Sequence, residues 1–355
     1  MSATTMTSLR VTLAPAGTGL VVGLLAWGVL FLPEIQAAVG VWQSSDTYGH
    51  CFLILPMALY LAWDRRDALV GVAPAPLPFL AILALPVAAV WFLAERLGIM
   101  EGRQLAAIAG LEVLFLVVLG WPLFRVLAAP LLFLVFLVPF GAFATPALQQ
   151  FTAAFIIGGL NLLGIANYAT DLTIEISAGV FYVAEACAGL RFLIAAVAFG
   201  VFYALLTYQS PGRRAVFMAA SVIVPIVANG FRALGIVVLG SVLGSAEAAA
   251  VDHIIYGWVF FSFVMLLLVA GGMPFREPPP GRSIGTFAAL PRRTAGQGPI
   301  WAAIAVAVLL SSGPAAALVL AARVVPVRLT TLPAWVLPPG CIAAPGPAPD
   351  LPAER

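Results

Sequence analysis

Long apolar segments, separated by short stretches that hold most of the charges, dominate the chain. A transmembrane helix needs about 20 predominantly apolar residues. The second apolar segment is shorter than the others, and we expect it to extend back through His50. The nine predicted spans are 18–41, 51–63, 77–94, 104–122, 126–145, 187–208, 214–240, 254–273 and 300–322. The pattern therefore predicts an all-α polytopic membrane protein.

Composition supports this fold class. Of the 355 residues, 63% are hydrophobic and only 9% are charged, whereas about 25% of a soluble domain is charged. So few charges cannot cover a water-facing surface, and apolar runs of this length favour a helical bundle over a barrel. All 17 basic residues are Arg, and they form no long basic patch, so nucleic-acid binding is not expected.

Short loops that contain Arg orient the predicted spans. Arg10, Arg125, the loops "DRRD" (64–67) and "PGRR" (211–214), and the linker at 275–293 all fall on one side of the nine-span arrangement. Because Arg-containing loops are enriched on the cytoplasmic side of membranes, this side is predicted to be the cytoplasm. The N-terminus then lies inside.

The same pattern divides the chain into four parts. We expect a membrane core of about eight spans at 1–273, a cytoplasmic Pro/Arg-rich linker at 274–299, one additional C-terminal span at 300–322, and an outer Pro-rich tail at 323–355.

The segment at 146–186 differs from the spans and is predicted to lie outside. Its first part, "ALQQFTAAFIIGGLNLLGIA", has helical spacing and suits a helix along the membrane interface. Its second part, "DLTIEISAGVFYV", alternates apolar and polar residues with the period of a strand. A turn at 177–179 predicts a short outer hairpin that leads directly to Cys187.

Cys187, Arg232 and His253 are predicted to share one depth near the outer surface. Arg232 comes 18 residues after Arg214, which places it roughly 27 Å along a helix from the cytoplasmic end. Cysteine thiolate is a nucleophile, histidine is a general acid or base, and arginine binds an oxyanion. Together these side chains suit acyl transfer through a thioester. Asn229 shares a helical face with Arg232 and is a candidate for binding substrate backbone.

Simpler structural roles compete with this chemistry. A single membrane cysteine is most often a small packed hydrophobe, and Arg191 suits an ion pair with Glu185 or Asp252. A polytopic transporter, or a non-catalytic scaffold for exopolysaccharide assembly, is also compatible with the composition. The chain has no Cys-x-x-Cys pair, no Gly-x-Ser-x-Gly and no His-Glu-x-x-His, so neither a metal site nor a serine hydrolase is expected.

Five segments resemble the exosortase/archaeosortase family. Three of them, "VAEACAGLRFL" (183–193), "PIVANGFRALGIV" (225–237) and "DHIIYGWVFF" (252–261), are similar to its three motifs, and the last is most like type A exosortases. "DTYGHCFLILPMALYLAW" (46–63) resembles its Tyr-Ser-His-Gly region, with Gly in place of Ser and Cys in place of Gly. "LVPFGAFATPALQQFT" (137–152) resembles its Pro-containing segment. The resemblance covers about 42–272.

The resemblance implies a membrane-embedded cysteine protease or transpeptidase without a cofactor. Carried over to this chain, it implies catalytic roles for Cys187, Arg232 and His253. The residues that we expect to bind substrate are Asn229, Arg191, Glu185, Tyr48 and His50. The implied substrates are exported proteins that end in a Pro-Glu-Pro motif, a transmembrane helix and an Arg-rich tail. The implied setting is the bacterial inner membrane, with the active site facing outward and an exopolysaccharide or lipid-linked amine as a possible acceptor.

Overall fold

The computed structural model describes residues 3–70, 72–243, 253–278 and 297–323, and these ranges are predominantly helical. The α-helices in them are α1 Ala3–Leu30, α2 Leu32–Ser44, α3 Cys51–Asp64, α4 Arg66–Leu69, α5 Ala84–Leu97, α6 Met100–Leu119, α7 Trp121–Phe133, α8 Thr145–Leu162, α9 Leu190–Thr207, α10 Pro211–Leu243, α11 His253–Gly272 and α12 Gly298–Arg323. The chain forms two compact units, Met1–Ala317 and Leu318–Arg355, and the described part of the second is the end of α12.

Five helical segments in the described ranges are long and apolar enough to cross a membrane, and the number rises to seven if each of two bent pairs is one span. The five are Pro78–Leu97, Met100–Leu119, Glu185–Thr207, Pro211–Val242 and Gly298–Arg323. The predicted segments 51–63 and 254–273 correspond to α3, which has 14 residues, and to α11, which has 20. The chain is thus an all-α polytopic membrane protein, with five to seven candidate spans among the described residues.

Two predicted spans, 18–41 and 126–145, are broken at prolines. The first bends by 71° between Leu30 and Leu32, where Pro33 opens α2. Proline lacks the N–H that would continue the preceding helix, but it fits the first turn of a new one. The second bends by 65° before α8, at a break that contains Pro139 and Gly141, whose φ is 115°.

A three-stranded antiparallel sheet occupies the segment for which a hairpin is predicted. Strand β2, Thr173–Ile176, pairs with β3, Gly179–Tyr182, across a two-residue turn, and with β1, Asn167–Thr170, on its other side. The alternation anticipated β2 and β3 but not β1. Within β2, Ile174 is fully buried whereas Glu175 is exposed, as the period of two requires.

The buried face of this sheet packs on α8 and α10. Ile174 and Ile176 join Val183 and apolar residues of the two helices in one cluster; its buried helical members are Ala153, Ile156, Leu160, Ala233 and Val237. Because Val183 lies four residues before Cys187, this cluster fixes the approach of the chain to the cysteine.

Hydrogen bonds at the far end of α9 tie α10 to α11. The Tyr208 hydroxyl donates to the carbonyl oxygen of Gly272 at 2.8 Å. The Glu277 carboxylate accepts from the backbone N–H groups of Gln209 and Ser210 at 2.5 and 2.8 Å. These backbone donors hold the pKa of Glu277 below its usual value. The three helices that surround the candidate site are therefore fixed at the end opposite to Cys187.

Glu34 anchors the bent helix α2 to α5 and α6. It is 2% exposed, and its Oε1 accepts from Trp91 Nε1 at 3.0 Å and from Arg103 Nε at 2.9 Å. Arg103 also pairs with Glu95, which is 36% exposed, at 2.5 Å. A buried carboxylate needs such partners to offset its lost hydration.

The two carboxylates that share Arg103 provide a matched stability test. We expect Glu34→Ala to lower the free energy of unfolding on the order of 3 kcal/mol, because it leaves buried donors without an acceptor. Glu95→Ala removes an exposed partner and should cost less than about 1 kcal/mol. Denaturant titration in detergent measures both, and equal costs for the two variants would contradict a specific anchoring role for Glu34.

Candidate active site

Cys187 lies in a tight turn between β3 and α9. The turn is a 3-10 helix, Glu185–Cys187, in which the Cys187 N–H donates to the Ala184 carbonyl at 2.8 Å. Gly189 follows in the left-handed region with φ 81° and caps α9, accepting the N–H groups of Phe192 and Leu193 at 3.1 Å. Glycine adopts this conformation without strain. The sequence Cys-Ala-Gly therefore presents a half-buried cysteine just before a helix N-terminus.

Asn229 links the cysteine turn to Arg232. Its Nδ2 donates to the Cys187 carbonyl oxygen at 2.8 Å and to Thr152 Oγ1 at 3.4 Å. Its Oδ1 accepts from Arg232 Nε at 3.3 Å and Nη2 at 3.1 Å. All three polar side chains, Thr152, Asn229 and Arg232, are at most 3% exposed. The sequence predicts only a shared depth for Cys187 and Arg232; in the structure, Asn229 joins the cysteine turn to the guanidinium.

The amide of Asn229 is engaged with protein groups through both its nitrogen and its oxygen. The sequence predicts that Asn229 binds substrate backbone. Its contacts instead favour a positioning role, in which one side chain sets the cysteine turn and the guanidinium of Arg232 at the same time.

Two guanidinium groups lie against one aromatic ring beside this turn. The Cζ atoms of Arg191 and Arg232 lie 5.0 and 5.3 Å from the centroid of the Phe192 ring. Phe192 in turn stacks on Phe261 of α11 at 4.9 Å. Arginine over an aromatic face is an attractive arrangement, so Phe192 helps to hold both cations close to Cys187.

A small, narrow cleft opens between α9, α10 and α11. It has an apolar wall and two polar residues, Asn229 and Arg232; the apolar lining is Phe192, Pro225, Ala228, Phe260, Phe261 and Val264. Gly257 of α11 borders the same region, because a Cβ there would lie 3.8 Å from Arg232 Nη1. The guanidinium therefore lies at the junction of an apolar cleft and the cysteine turn.

His253 is the first residue of α11, one helical turn before Gly257. Positions four residues apart share a helix face. The backbone position of His253 is therefore on the face of α11 that approaches Arg232 at Gly257. Asp252 lies outside the described residues.

Tyr48 and His50 belong to the loop before α3, where the hydrogen bonds of His50 are local. His50 Nδ1 lies 3.0 Å from the Thr47 carbonyl, and burial lowers the pKa of His50. The hydroxyl of Tyr48 is buried, and its pKa is raised by burial and by the nearby Glu101 and Cys51. Among the described residues, no hydrogen bond joins Tyr48 or His50 to the cysteine turn.

Glu185 is exposed within the cysteine turn and forms no ion pair with Arg191 in the ranges that the structure describes. This removes one of the two structural partners considered for Arg191. In the same ranges, no group of three His, Cys, Asp or Glu side chains is arranged to hold a metal ion.

Two residues of α8 support the site but were not identified from the sequence. Gln149 Nε2 donates to the Val183 carbonyl at 2.9 Å, and Thr152 contacts Asn229. The available signal is their spacing, since polar residues three apart on a largely apolar helix share a face. The sequence pattern of 147–166 indicates only an interfacial helix and does not report this inward polar face.

Gly189 and Gly235 offer a matched test of the turn. A Cβ at Gly189 would lie 2.5 Å from Asn229 Cγ in a backbone conformation with φ 81°, whereas nothing lies within 4 Å of a Cβ at Gly235. We expect Gly189→Ala to destabilise the protein by about 2 kcal/mol or more, from backbone strain and displacement of Asn229. Gly235→Ala, in helix α10, should be neutral or stabilising by up to about 1 kcal/mol. Thermal unfolding in detergent measures the pair, and a neutral Gly189→Ala would contradict the described turn.

Comparison with known proteins supplies the family. The family model described as transmembrane exosortase matches residues 42–270, which is more than half of the chain and contains the cysteine turn, Asn229, Arg232 and His253. No curated protein and no solved structure matches the chain. The exosortases are a family of membrane cysteine proteases or transpeptidases. On the extent of this match, the chain belongs to the transmembrane exosortase family.

Proposed function

We propose that this exosortase cleaves the C-terminal sorting signal of exported proteins through a thioester on Cys187. The observation that carries the proposal is the Asn229 bridge, which joins the Cys187 carbonyl to the Arg232 guanidinium at 2.8 and 3.1 Å. A cysteine that only packs has no need of a buried cation that is linked to its backbone through one side chain. A nucleophile whose reaction generates an oxyanion does.

The thiolate of Cys187 attacks the carbonyl carbon of the scissile peptide, which forms a C–S bond and moves the π electrons onto oxygen. Arg232 stabilises that oxyanion by charge and hydrogen bonding. When the oxyanion collapses, the C–N bond breaks and the departing amine takes a proton from His253, acting as general acid. The membrane anchor is released, and the exported domain remains as a thioester on Cys187.

The second half of the reaction regenerates the enzyme. A primary amine or water attacks the thioester carbonyl, with His253 as general base, and the C–S bond breaks to return the Cys187 thiolate. With an amine, the product is a new amide to an exopolysaccharide or lipid-linked acceptor, and the enzyme is a transpeptidase. With water, the product is a free carboxylate, and the enzyme is a protease.

The proposed substrate signal is a Pro-Glu-Pro motif followed by a transmembrane helix and an Arg-rich tail. Lateral entry of such a helix would bring it against the cleft between α9, α10 and α11, whose aromatic wall ends at Arg232. The loops rich in Arg support a cytoplasmic N-terminus and an outward-facing site in the bacterial inner membrane. The motif form "DHIIYGWVFF" supports assignment to type A, with a link to exopolysaccharide biosynthesis.

Strand β3 offers a further contact for an extended substrate. It is an edge strand of the three-stranded sheet and ends five residues before Cys187. An extended peptide can add to such an edge through backbone hydrogen bonds. Pairing of the Pro-Glu-Pro segment with β3 would bring the scissile bond towards the cysteine turn.

Two cysteines provide a matched test of the nucleophile. We expect Cys187→Ala to abolish size reduction of a co-expressed reporter with a Pro-Glu-Pro sorting tail, because the thiol that forms the thioester is gone. Cys51→Ala should retain processing, since Cys51 is 1% exposed and its thiol contacts the Phe136 carbonyl at 3.4 Å. Immunoblotting reports both reporter size and enzyme level.

Hydroxylamine extends this test to the intermediate. It attacks thioesters, so wild-type enzyme should release a reporter fragment that ends in a hydroxamate, detectable by mass spectrometry. Continued processing by Cys187→Ala at an equal protein level would eliminate the proposed nucleophile. Processing by wild type without any hydroxamate would eliminate the thioester.

A further inference from the structure

We propose that Arg191 is the specificity residue that binds the acidic side chain of the sorting motif, while Arg232 serves the reacting carbonyl. The inference rests on the proposed function and assigns a different task to each of two guanidinium groups. Both lie against the same ring, Phe192, with their Cζ atoms 5.0 and 5.3 Å from its centroid. Their surroundings, however, are different.

Arg232 is almost completely buried and is held by protein groups. It is 2% exposed, and Asn229 Oδ1 accepts from its Nε and Nη2. Asn229 also binds the cysteine turn. Arg232 is therefore fixed relative to Cys187, as a group that stabilises a developing oxyanion must be.

Arg191 is partly exposed, yet its Nε is buried and has no hydrogen-bond acceptor among the described residues. In the part of the chain that the structure describes, it also forms no ion pair, and the exposed Glu185 two positions before Cys187 does not neutralise it. A buried donor on a charged group without an acceptor is unfavourable. The geometry thus points to an acceptor that comes from outside the protein.

A carboxylate fits this position better than a neutral acceptor. Arginine has five donors and no acceptor, and its planar fork matches a carboxylate in a bidentate pair. The second cation against Phe192, Arg232, adds to the positive potential there. Arg191 lies four residues after Cys187, in the first turn of α9. A substrate whose scissile bond reaches Cys187 therefore brings its neighbouring side chains close to Arg191, and the proposed motif supplies one acidic side chain, its glutamate.

The test pairs changes in the enzyme with changes in the reporter. Three reporters carry Pro-Glu-Pro, Pro-Gln-Pro or Pro-Lys-Pro, and the enzymes are wild type, Arg191→Gln, Arg191→Glu and Arg66→Gln. Arg66 is the control, because it also stacks on an aromatic ring, Trp63, at 4.0 Å but lies far along the chain from the cysteine turn. Initial processing rates are measured over a range of reporter levels.

We expect wild type and Arg66→Gln to prefer the Glu reporter over the Gln reporter by roughly 10-fold or more, the size of a charge-assisted hydrogen bond. Arg191→Gln should lose that preference, with a raised KM and little change in kcat, because uniform binding is removed. Arg191→Glu should process the Lys reporter better than the Glu reporter. A merely structural role for Arg191 would not reverse the preference.

The outcomes separate this inference from the function on which it rests. If wild type does not process the Glu reporter in a Cys187-dependent manner, the proposed function fails. If processing depends on Cys187 but Arg191→Gln keeps the preference for Glu over Gln, or lowers the rates of all reporters equally, Arg191 does not bind the motif. Arg191→Lys gives the same comparison if Arg191→Gln fails to accumulate: loss of the planar fork should reduce the preference, and an unchanged preference would overturn the inference.

Discussion

The side-chain amide of Asn229 is the interaction on which the site depends. In an apolar surrounding, an arginine as buried as Arg232 is tolerated only with hydrogen-bond partners. Asn229 accepts from that guanidinium and donates to the carbonyl of Cys187. One residue therefore meets the polar requirements of the cation and fixes its position relative to the cysteine. Thr152 holds the same amide from α8, so three separate parts of the chain meet at one group.

The remainder of the fold constrains this junction from several directions. The sheet packs on α8 and α10 and leads the chain into the turn, and Gln149 fixes the Val183 carbonyl just before it. Gly189 leaves space for Asn229 and starts α9. At the other end of α9, Tyr208 and the carboxylate of Glu277 hold α10 and α11 together. The cleft between these helices is therefore bounded by fixed elements and ends at a fixed charge.

Much of this could be predicted from the sequence, because the signals are local. Apolar run length identified the membrane helices, alternation identified β2 and β3, and the rarity of polar residues in apolar runs singled out Cys187 and Arg232. What was missed depends on tertiary context. The bends at Pro33 and before α8 arise where a long apolar run conceals a helix boundary. The supporting role of Gln149 and the inward role of Asn229 depend on which faces pack together, which hydropathy does not report.

The most direct test of the central claim is the mass of the enzyme during turnover. Purified enzyme in detergent is mixed with a sorting-tail substrate, quenched in acid, digested and analysed by mass spectrometry. The account predicts that the peptide containing Cys187 gains the mass of the acyl fragment that ends at the cleavage site, and that hydroxylamine removes this mass. The account is contradicted if the substrate is cleaved while Cys187 carries no adduct at any time. An adduct on another residue, or cleavage with no adduct anywhere, would both be such a result.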